Sequence, residues 1–507
     1  MRLATASFIR ALEEQVINGG GTALDMMERA GATAAEHAWH WCRSRLDPIH
    51  VRRWTVLAGK GQNGGDALVA ARHLAARSGL PVVVYLTVPR EELTGAAREQ
   101  AARLPHQIPV LTVKELPAEA LAYGCVIVDG LLGTGLNGPP RPPVSRWIEQ
   151  VNAAGIPVIA LDLPSGLNPD SGLGDLVLTA DLTISMGLTK RGLLQPEGRR
   201  HAGILRVADI GLPAAPVPEN EPEGIFEQDV RPLLLRRPQE SHKNRFGHTL
   251  VLGGSVSYAG APALVAEAAL RAGCGLATLG VPEAARTLVR PGLNALIVEG
   301  IPAESPRRTE TLKRLMTRVQ VLVCGPGAGR GPGTRQLLRE CAESDLPLII
   351  DADGLRELAE DPLIFPHRKA LTVLTPHAGE MLALLEGYGL EDLLNLPRLE
   401  QAFGLARSTG CWIVFKGQAT VVASPDGRSA VNSSGTNGLG TAGTGDVLAG
   451  LLAGLLAQGL APWDALRAGV FLHGRAAELF PGGDRALTAD DVIHLFGAAF
   501  RSVTPFA

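Results

Sequence analysis

Asp446 closes a glycine-rich run, Gly435-Thr436-Asn437-Gly438-Leu439-Gly440-Thr441-Ala442-Gly443-Thr444-Gly445-Asp446, and an apolar run from Val447 to Leu456 follows at once. Glycines let backbone amides come close to a ligand, and the apolar run predicts a buried helix whose first amides point back at the loop. Such an end seats an anion. The positive pole of the helix lies where phosphate oxygens or a developing negative charge would go, with the Asp446 carboxylate beside it as a proton acceptor. The alternative at this point is a plain helix cap after a turn.

A second group of reactive side chains lies in the first half. Asn63, Asp129 and Ser165 follow three predicted strands and bring hard oxygen donors with one formal charge between them. That set suits a monovalent cation better than a doubly charged one, although turn chemistry accounts for each residue alone. Asp162, in Leu161-Asp162-Leu163-Pro164-Ser165-Gly166, is the other carboxylate at this edge and the candidate for acid/base work.

The elements that must position these residues form one repeated pattern. Short apolar runs such as Trp54 to Ala58, Val82 to Leu86, Cys125 to Val128 and Pro157 to Leu161 each end in a polar or glycine-rich loop, usually before a helical stretch. A parallel sheet covered on both faces is expected, with ligands at the carboxyl ends of the strands. Leu212 to Gly224 is rich in proline and glutamate and reads as a linker, after which the pattern restarts at Thr249 to Leu252. The expectation is an α/β chain of two three-layer αβα domains, residues 1–213 and 225–507, joined by 214–224.

At 507 residues, two or three domains are the prior, and 46% hydrophobic residues can fill them. A formal net charge of -3 with both signs interspersed offers no face for nucleic acid. The six cysteines are scattered without Cys-x-x-Cys spacing, so they read as core residues of a reducing compartment. Neither a signal-type core nor a membrane span is evident, and a cytoplasmic protein is expected.

Gly-Lys-Gly-Gln-Asn-Gly-Gly-Asp at 59–66, Val-Asp-Gly-Leu-Leu-Gly-Thr-Gly-Leu-Asn-Gly-Pro at 128–139, Leu-Asp-Leu-Pro-Ser-Gly at 161–166 and the stretch Asp181 to Gly192 resemble the NAD(P)H-hydrate epimerase family. The resemblance implies a Rossmann-like domain in which Asn63, Asp129 and Ser165 hold potassium. It implies that Gln62, Asn63, Gly64, Gly65 and Asp66, with Gly133, Thr134, Gly135, Leu136, Asn137, Gly138 and Pro139, cradle the hydrated dinucleotide, and that Asp162 meets its altered ring. Gln62 stands where the family usually has Asn, and Ala67 where it often has Gly.

From about residue 225 onward, Gly253-Gly254-Ser255, Gly325-Pro326-Gly327, Asp351-Ala352-Asp353-Gly354, Thr375-Pro376-His377-Ala378-Gly379-Glu380, Lys416-Gly417-Gln418-Ala419-Thr420 and the opening Gly-Thr-Gly-Asp loop look like the ribokinase-like NAD(P)H-hydrate dehydratase family. By that resemblance Ala261, Gly327, His377 and Asp446 contact the hydrate. Lys416, Gly417, Gln418, Ala419, Thr420 and Gly445 contact an adenine nucleotide, ADP, with magnesium. Asp446 would take the substrate hydroxyl proton while the amides near Gly443 steady the phosphoryl group. The implied partners are small molecules, hydrated NADH or NADPH and ADP, with a homo-oligomer expected. A ribokinase-like kinase for a small alcohol and a non-catalytic nucleotide-binding first half are the competing readings.

Overall fold

The computed structural model describes residues 3–46, 50–136, 138–213, 222–234, 236–238, 240–289, 294–364 and 368–504. The chain divides into two compact units, Arg2–Gly224 and Ile225–Ala507. Residues 214–221 of the expected linker lie outside the described residues, as does Asn137.

The first unit is built on β1 (Arg53–Ala58), β2 (Val82–Leu86), β3 (Val110–Thr112), β4 (Cys125–Gly130), β5 (Val158–Leu161), β6 (Leu182–Met186) and β7 (Ile204–Ala208). They form one sheet in the order β3-β2-β1-β4-β5-β6-β7, and every pair is parallel. β4 is buried along its whole length, as expected of a strand with helices on both faces. Two helices precede the sheet, Ala6–Asn18 and Ala23–Arg45, capped by the Thr5 and Thr22 hydroxyls.

The second sheet is built from β8 (Glu223–Ile225), whose last residue opens the second unit, β9 (His248–Leu252), β10 (Leu276–Pro282), β11 (Ile297–Ile301), β12 (Val321–Cys324), β13 (Leu348–Ile350), β14 (Thr372–Leu374), β15 (Trp412–Phe415), β16 (Val421–Ala423) and β17 (Ser429–Asn432). Their order is β11-β10-β9-β12-β13-β14-β15-β16-β17-β8. From β11 to β15 the pairs are parallel, but β15–β16 and β16–β17 are antiparallel, which corrects the expectation of a wholly parallel sheet. The chain turns straight back after Lys416 instead of crossing over, because the stretch 417–432 holds only two short strands and no helix.

The run after Asp446 is helical as expected, from Thr444 to Ala457, and buried from Val447 to Ala457. It lies directly on helix Ala261–Arg271 through small residues. A Cβ at Gly450 would stand 2.1 Å from the Val265 carbonyl oxygen, and one at Gly454 2.6 Å from that of Ala269. Any larger residue there would push apart the two helices that carry Asp446 and Ala261.

Candidate functional site

In the first unit the strand order reverses between β1 and β4, and open α/β sheets seat ligands where such loops diverge. The loop after β1 is shorter than expected. Helix Gln62–Ser78 already begins at Gln62, so Asn63, Gly64, Gly65 and Asp66 occupy its first turns. The first bond back into the loop runs from the Gly65 amide to the Gly61 carbonyl at 3.1 Å, leaving the amides of Gln62, Asn63 and Gly64 without a protein partner among the described residues. A Cβ at Gly64 would come within 1.9 Å of the Gly59 carbonyl oxygen, and one at Gly133 within 3.2 Å of the Asn63 Cβ. The β1 and β4 loops are thus in contact. Gly133, Thr134 and Leu136 are half-buried there, while Gly135, Gly138 and Pro139 are exposed.

Asn63, Asp129 and Ser165 come together beneath these loops. The Asn63 Nδ2 donates to the carbonyls of Leu132 (2.7 Å) and Leu161 (3.0 Å), which fixes the amide orientation because both partners are acceptors. Its Oδ1 is buried with no hydrogen-bond partner. Asp129 is fully buried and accepts from the Ser165 hydroxyl (2.6 Å), the Ser165 amide (2.9 Å) and the Leu131 amide (3.1 Å). Burial pushes its carboxyl up to about 6 in spite of these bonds. An orphaned amide oxygen beside a buried carboxylate and a hydroxyl fits a small monovalent cation.

Asp162 follows β5 with φ of 66°, a left-handed backbone that side-chain-bearing residues seldom adopt. Its Oδ1 takes the Met186 amide at 3.1 Å and the Lys190 ammonium, which is fully buried. Asp66 and Glu13 lie in the same electrostatic neighbourhood. Burial, with Asp162 and Glu13 as like charges, raises Asp66 well above the usual carboxylate range, and burial and Asp162 also raise Glu13. Lys190 offsets the rise of Asp66 and of Glu13 in part.

In the second unit the order reverses between β9 and β12, and Ala261 and Gly327 meet there. A Cβ at Gly327, whose φ is 62°, would lie 3.2 Å from that of Ala261 and 2.6 Å from the Tyr258 carbonyl oxygen. Around the next strand ends, the Lys416 ammonium pairs with Asp351 Oδ1 at 2.5 Å and with Glu380 Oε2 at 3.8 Å. A Cβ at Gly445 would lie 3.3 Å from the same ammonium, so the two expected nucleotide elements face each other. Burial lowers Lys416, but Asp351, Glu380 and Asp446 outweigh it and leave the ammonium raised. Gly417 and Ala419 have φ of 146° and 54°, and Gln418 and Gly417 are exposed.

Asp446 sits in the first turn of its helix, behind Gly443 at φ of 86°. Among the described residues its carboxylate accepts no hydrogen bond, and the amides of Gly445 and Asp446 have no partner, so it is not the cap of this helix. Burial and the neighbouring Asp351 push it up to about 7, and burial does the same to Glu380. His377 caps a different helix, Ala378–Gly387: its Nδ1 accepts from the amides of Gly379 (3.0 Å) and Glu380 (3.3 Å), and its own amide donates to Glu380 Oε2 at 2.8 Å. Its ring remains exposed enough to meet a ligand as well.

Two family models match successive parts of the chain, one described as YjeF-related protein N-terminus over residues 23–192 and one as NAD(P)H-hydrate dehydratase over 249–495. The bifunctional NAD(P)H-hydrate repair enzyme Nnr of Coxiella burnetii is 36% identical over 501 residues, covering 96% of each chain. That of Thermofilum pendens is 34% identical over 519 residues, covering 99% of this chain and 97% of the other. The chain belongs to the bifunctional NAD(P)H-hydrate repair enzyme family. Among solved structures, the ADP/ATP-dependent NAD(P)H-hydrate dehydratase from Bacillus subtilis, co-crystallised with ATP/Mg2+, is 29% identical. It covers 56% of this chain and 100% of that one, with a TM-score of 0.50.

Within this family the two departures read as local adjustments. Gln62 is exposed at the helix start. Ala67 is fully buried with its methyl against Gly130, where a Cβ would lie 2.4 Å away, so the pair fills the space of one side chain. Sequence reasoning did not single out Lys190, Glu13, Asp351 or Glu380 as site residues. Three of them lay inside quoted motifs, but their convergence depends on strand register rather than on spacing.

Proposed function

We propose that the first unit interconverts the R and S forms of hydrated NADH and NADPH, and that the second dehydrates the S form at the expense of ADP, giving AMP and phosphate. Asp446 carries the reading: a carboxylate with no hydrogen bond, raised to about 7, stands at an uncapped helix start whose Gly445 faces Lys416. Such a group is ionised often enough to accept a proton and protonated often enough to return it near neutral pH.

In this scheme Asp446 takes the proton of the substrate hydroxyl as its oxygen attacks the β-phosphoryl group of ADP, and AMP departs. The ester C–O bond then breaks, phosphate leaves, and the adjacent ring carbon gives up a proton as the double bond re-forms. The free amides of Gly445 and Asp446 and the Lys416 ammonium hold the phosphoryl oxygens. Magnesium, when bound with the nucleotide, neutralises phosphate charge. Among the described residues no group of three or more His, Cys, Asp and Glu is placed to cage a metal, so the phosphates would supply most of its ligands.

Potassium is proposed for the first unit at Asn63, Asp129 and Ser165, where the orphaned Asn63 Oδ1 supports it. The substrate contacts are those expected for each half, with the Lys416–Thr420 stretch on the nucleotide. Among the described residues no helix is long and apolar enough to cross a membrane, and the six free, buried cysteines favour a cytoplasmic setting. Assembly as a homo-oligomer is also proposed, to be checked by light scattering. The reaction itself is tested by giving the purified chain mixed epimers of hydrated NADH with ADP or ATP. Return of reduced-nicotinamide absorbance with release of free phosphate is expected; accumulation of a stable phosphorylated hydrate would indicate a kinase instead.

A further inference from the structure

We propose that Lys190 is the positioning residue of the first-unit reaction, anchoring one oxygen of Asp162 so that the other is presented to the substrate hydroxyl. The proposal rests on the epimerase reading and names a residue beyond those that reading uses.

Lys190 is 1% exposed, and a lysine is rarely so buried without a partner. Its ammonium has three protons and three acceptors: Asp162 Oδ1, the Met186 carbonyl at 3.0 Å and the Ser185 hydroxyl at 3.4 Å. It cannot pivot without losing one of them. The backbone on either side is clamped by the N-terminal arm, since the Ala4 amide donates to the Thr189 carbonyl (3.0 Å) and the Arg191 amide to the Ala4 carbonyl (3.1 Å).

Asp162 is held as firmly. Its amide donates to the Ile184 carbonyl at 2.8 Å, and its Oδ1 takes both Lys190 and the Met186 amide. The Oδ2 atom accepts nothing among the described residues, although the residue as a whole is only 9% exposed. One oxygen is therefore saturated and its twin is free. The left-handed backbone at Asp162 costs stability, and a buried ion pair contributes little net stability compared with an apolar pair of the same shape. Stability does not account for the arrangement, whereas orientation of the free oxygen does. The carboxylate stands at the end of β5, beside the loops of β1 and β4 that carry the expected dinucleotide contacts.

The test compares Lys190→Met, Asp162→Asn and the double variant for exchange between R and S hydrates without ADP. Exchange is followed by chromatography, with kcat and KM separated. Lys190→Met is expected to lose kcat by about 10²-fold at nearly unchanged KM, as when a general base is disabled. Because Lys190 acts through Asp162, the double variant should be no slower than Asp162→Asn. Losses that multiply in the double variant, or a Lys190→Met chain with near-normal kcat, would reduce Lys190 to a structural role. Should Lys190→Met fail to fold with an orphaned carboxylate, Lys190→Arg keeps the charge while displacing the anchored oxygen, and a folded Lys190→Arg chain with near-normal kcat would overturn the proposal. A wild-type chain with no exchange would contradict the epimerase reading itself, and this inference with it.

Discussion

The two units each place a carboxylate and a lysine beyond the ends of parallel strands, the lysine buried in the first and half-buried in the second, yet they connect them differently. In the first unit Lys190 lies directly on Asp162, together with a backbone amide. In the second, Lys416 sits on Asp351 at 2.5 Å and only influences Asp446 from a distance, so Asp446 keeps both oxygens free and is pushed up to about 7. A directly paired carboxylate has a set orientation. An unpaired one in a crowd of acids is poised to gain and lose a proton, which suits a step that takes a hydroxyl proton and later releases it.

The largest effect should come from removing the poised group. Asp446→Asn is expected to keep ADP binding, measured by calorimetry, and to lose dehydration by about 10² to 10⁴-fold. Near-normal turnover would break the contrast by making Asp446 incidental. Next is Lys416→Met, which removes the cation that lowers Asp446. The acid limb of kcat/KM for dehydration, expected near pH 7 in wild type, should move to higher pH as well as dropping in height. An unmoved limb would mean that another group sets it.

The cation site sharpens the comparison at a smaller scale. Burial raises Asp129 to about 6, so the folded state holds this proton more tightly than the unfolded chain does. Without cation, this group's contribution to stability is full below about pH 4 and is lost as pH rises through about 6, by up to about 3 kcal/mol. A bound cation needs the carboxylate, so rubidium affinity should fall about tenfold per unit as pH drops below about 6. Asp129→Ala should abolish both behaviours in thermal melts and in anomalous scattering with rubidium. The smallest effect is expected for His377→Ala, which removes the cap on helix Ala378–Gly387 at about 1 kcal/mol.

Much of this was legible in the chain because strand ends in α/β sheets carry function, and each apolar run announces where its end falls. Asn63, Asp129, Ser165 and Asp446 could be named from their loops alone, whereas Ala261 and Gly327 were named only through the family resemblance. The pairing of Lys190 with Asp162 could not, since it depends on β5 and β6 lying side by side and on a left-handed turn that no residue type demands. The start of helix Gln62–Ser78 also escaped, because three glycines around Asn63 read as loop when the helix propensity of each is weighed alone. Contact with β4 and the Gly59 carbonyl decides that turn instead. The antiparallel edge of the second sheet was hidden by the brevity of β16 and β17, each too short to show alternation.

The central claim is that two chemically different carboxylates act in series on one substrate pool, and Asp162→Ala tests it most directly. Recovery of reduced-nicotinamide absorbance from mixed epimers with ADP should run to completion in one fast phase for the wild type. The variant should instead dehydrate one epimer quickly and then slow to the unaided rate of epimer exchange. A single unchanged phase in Asp162→Ala would contradict the account, leaving Asp162 as scaffold and the first unit without its reactive group.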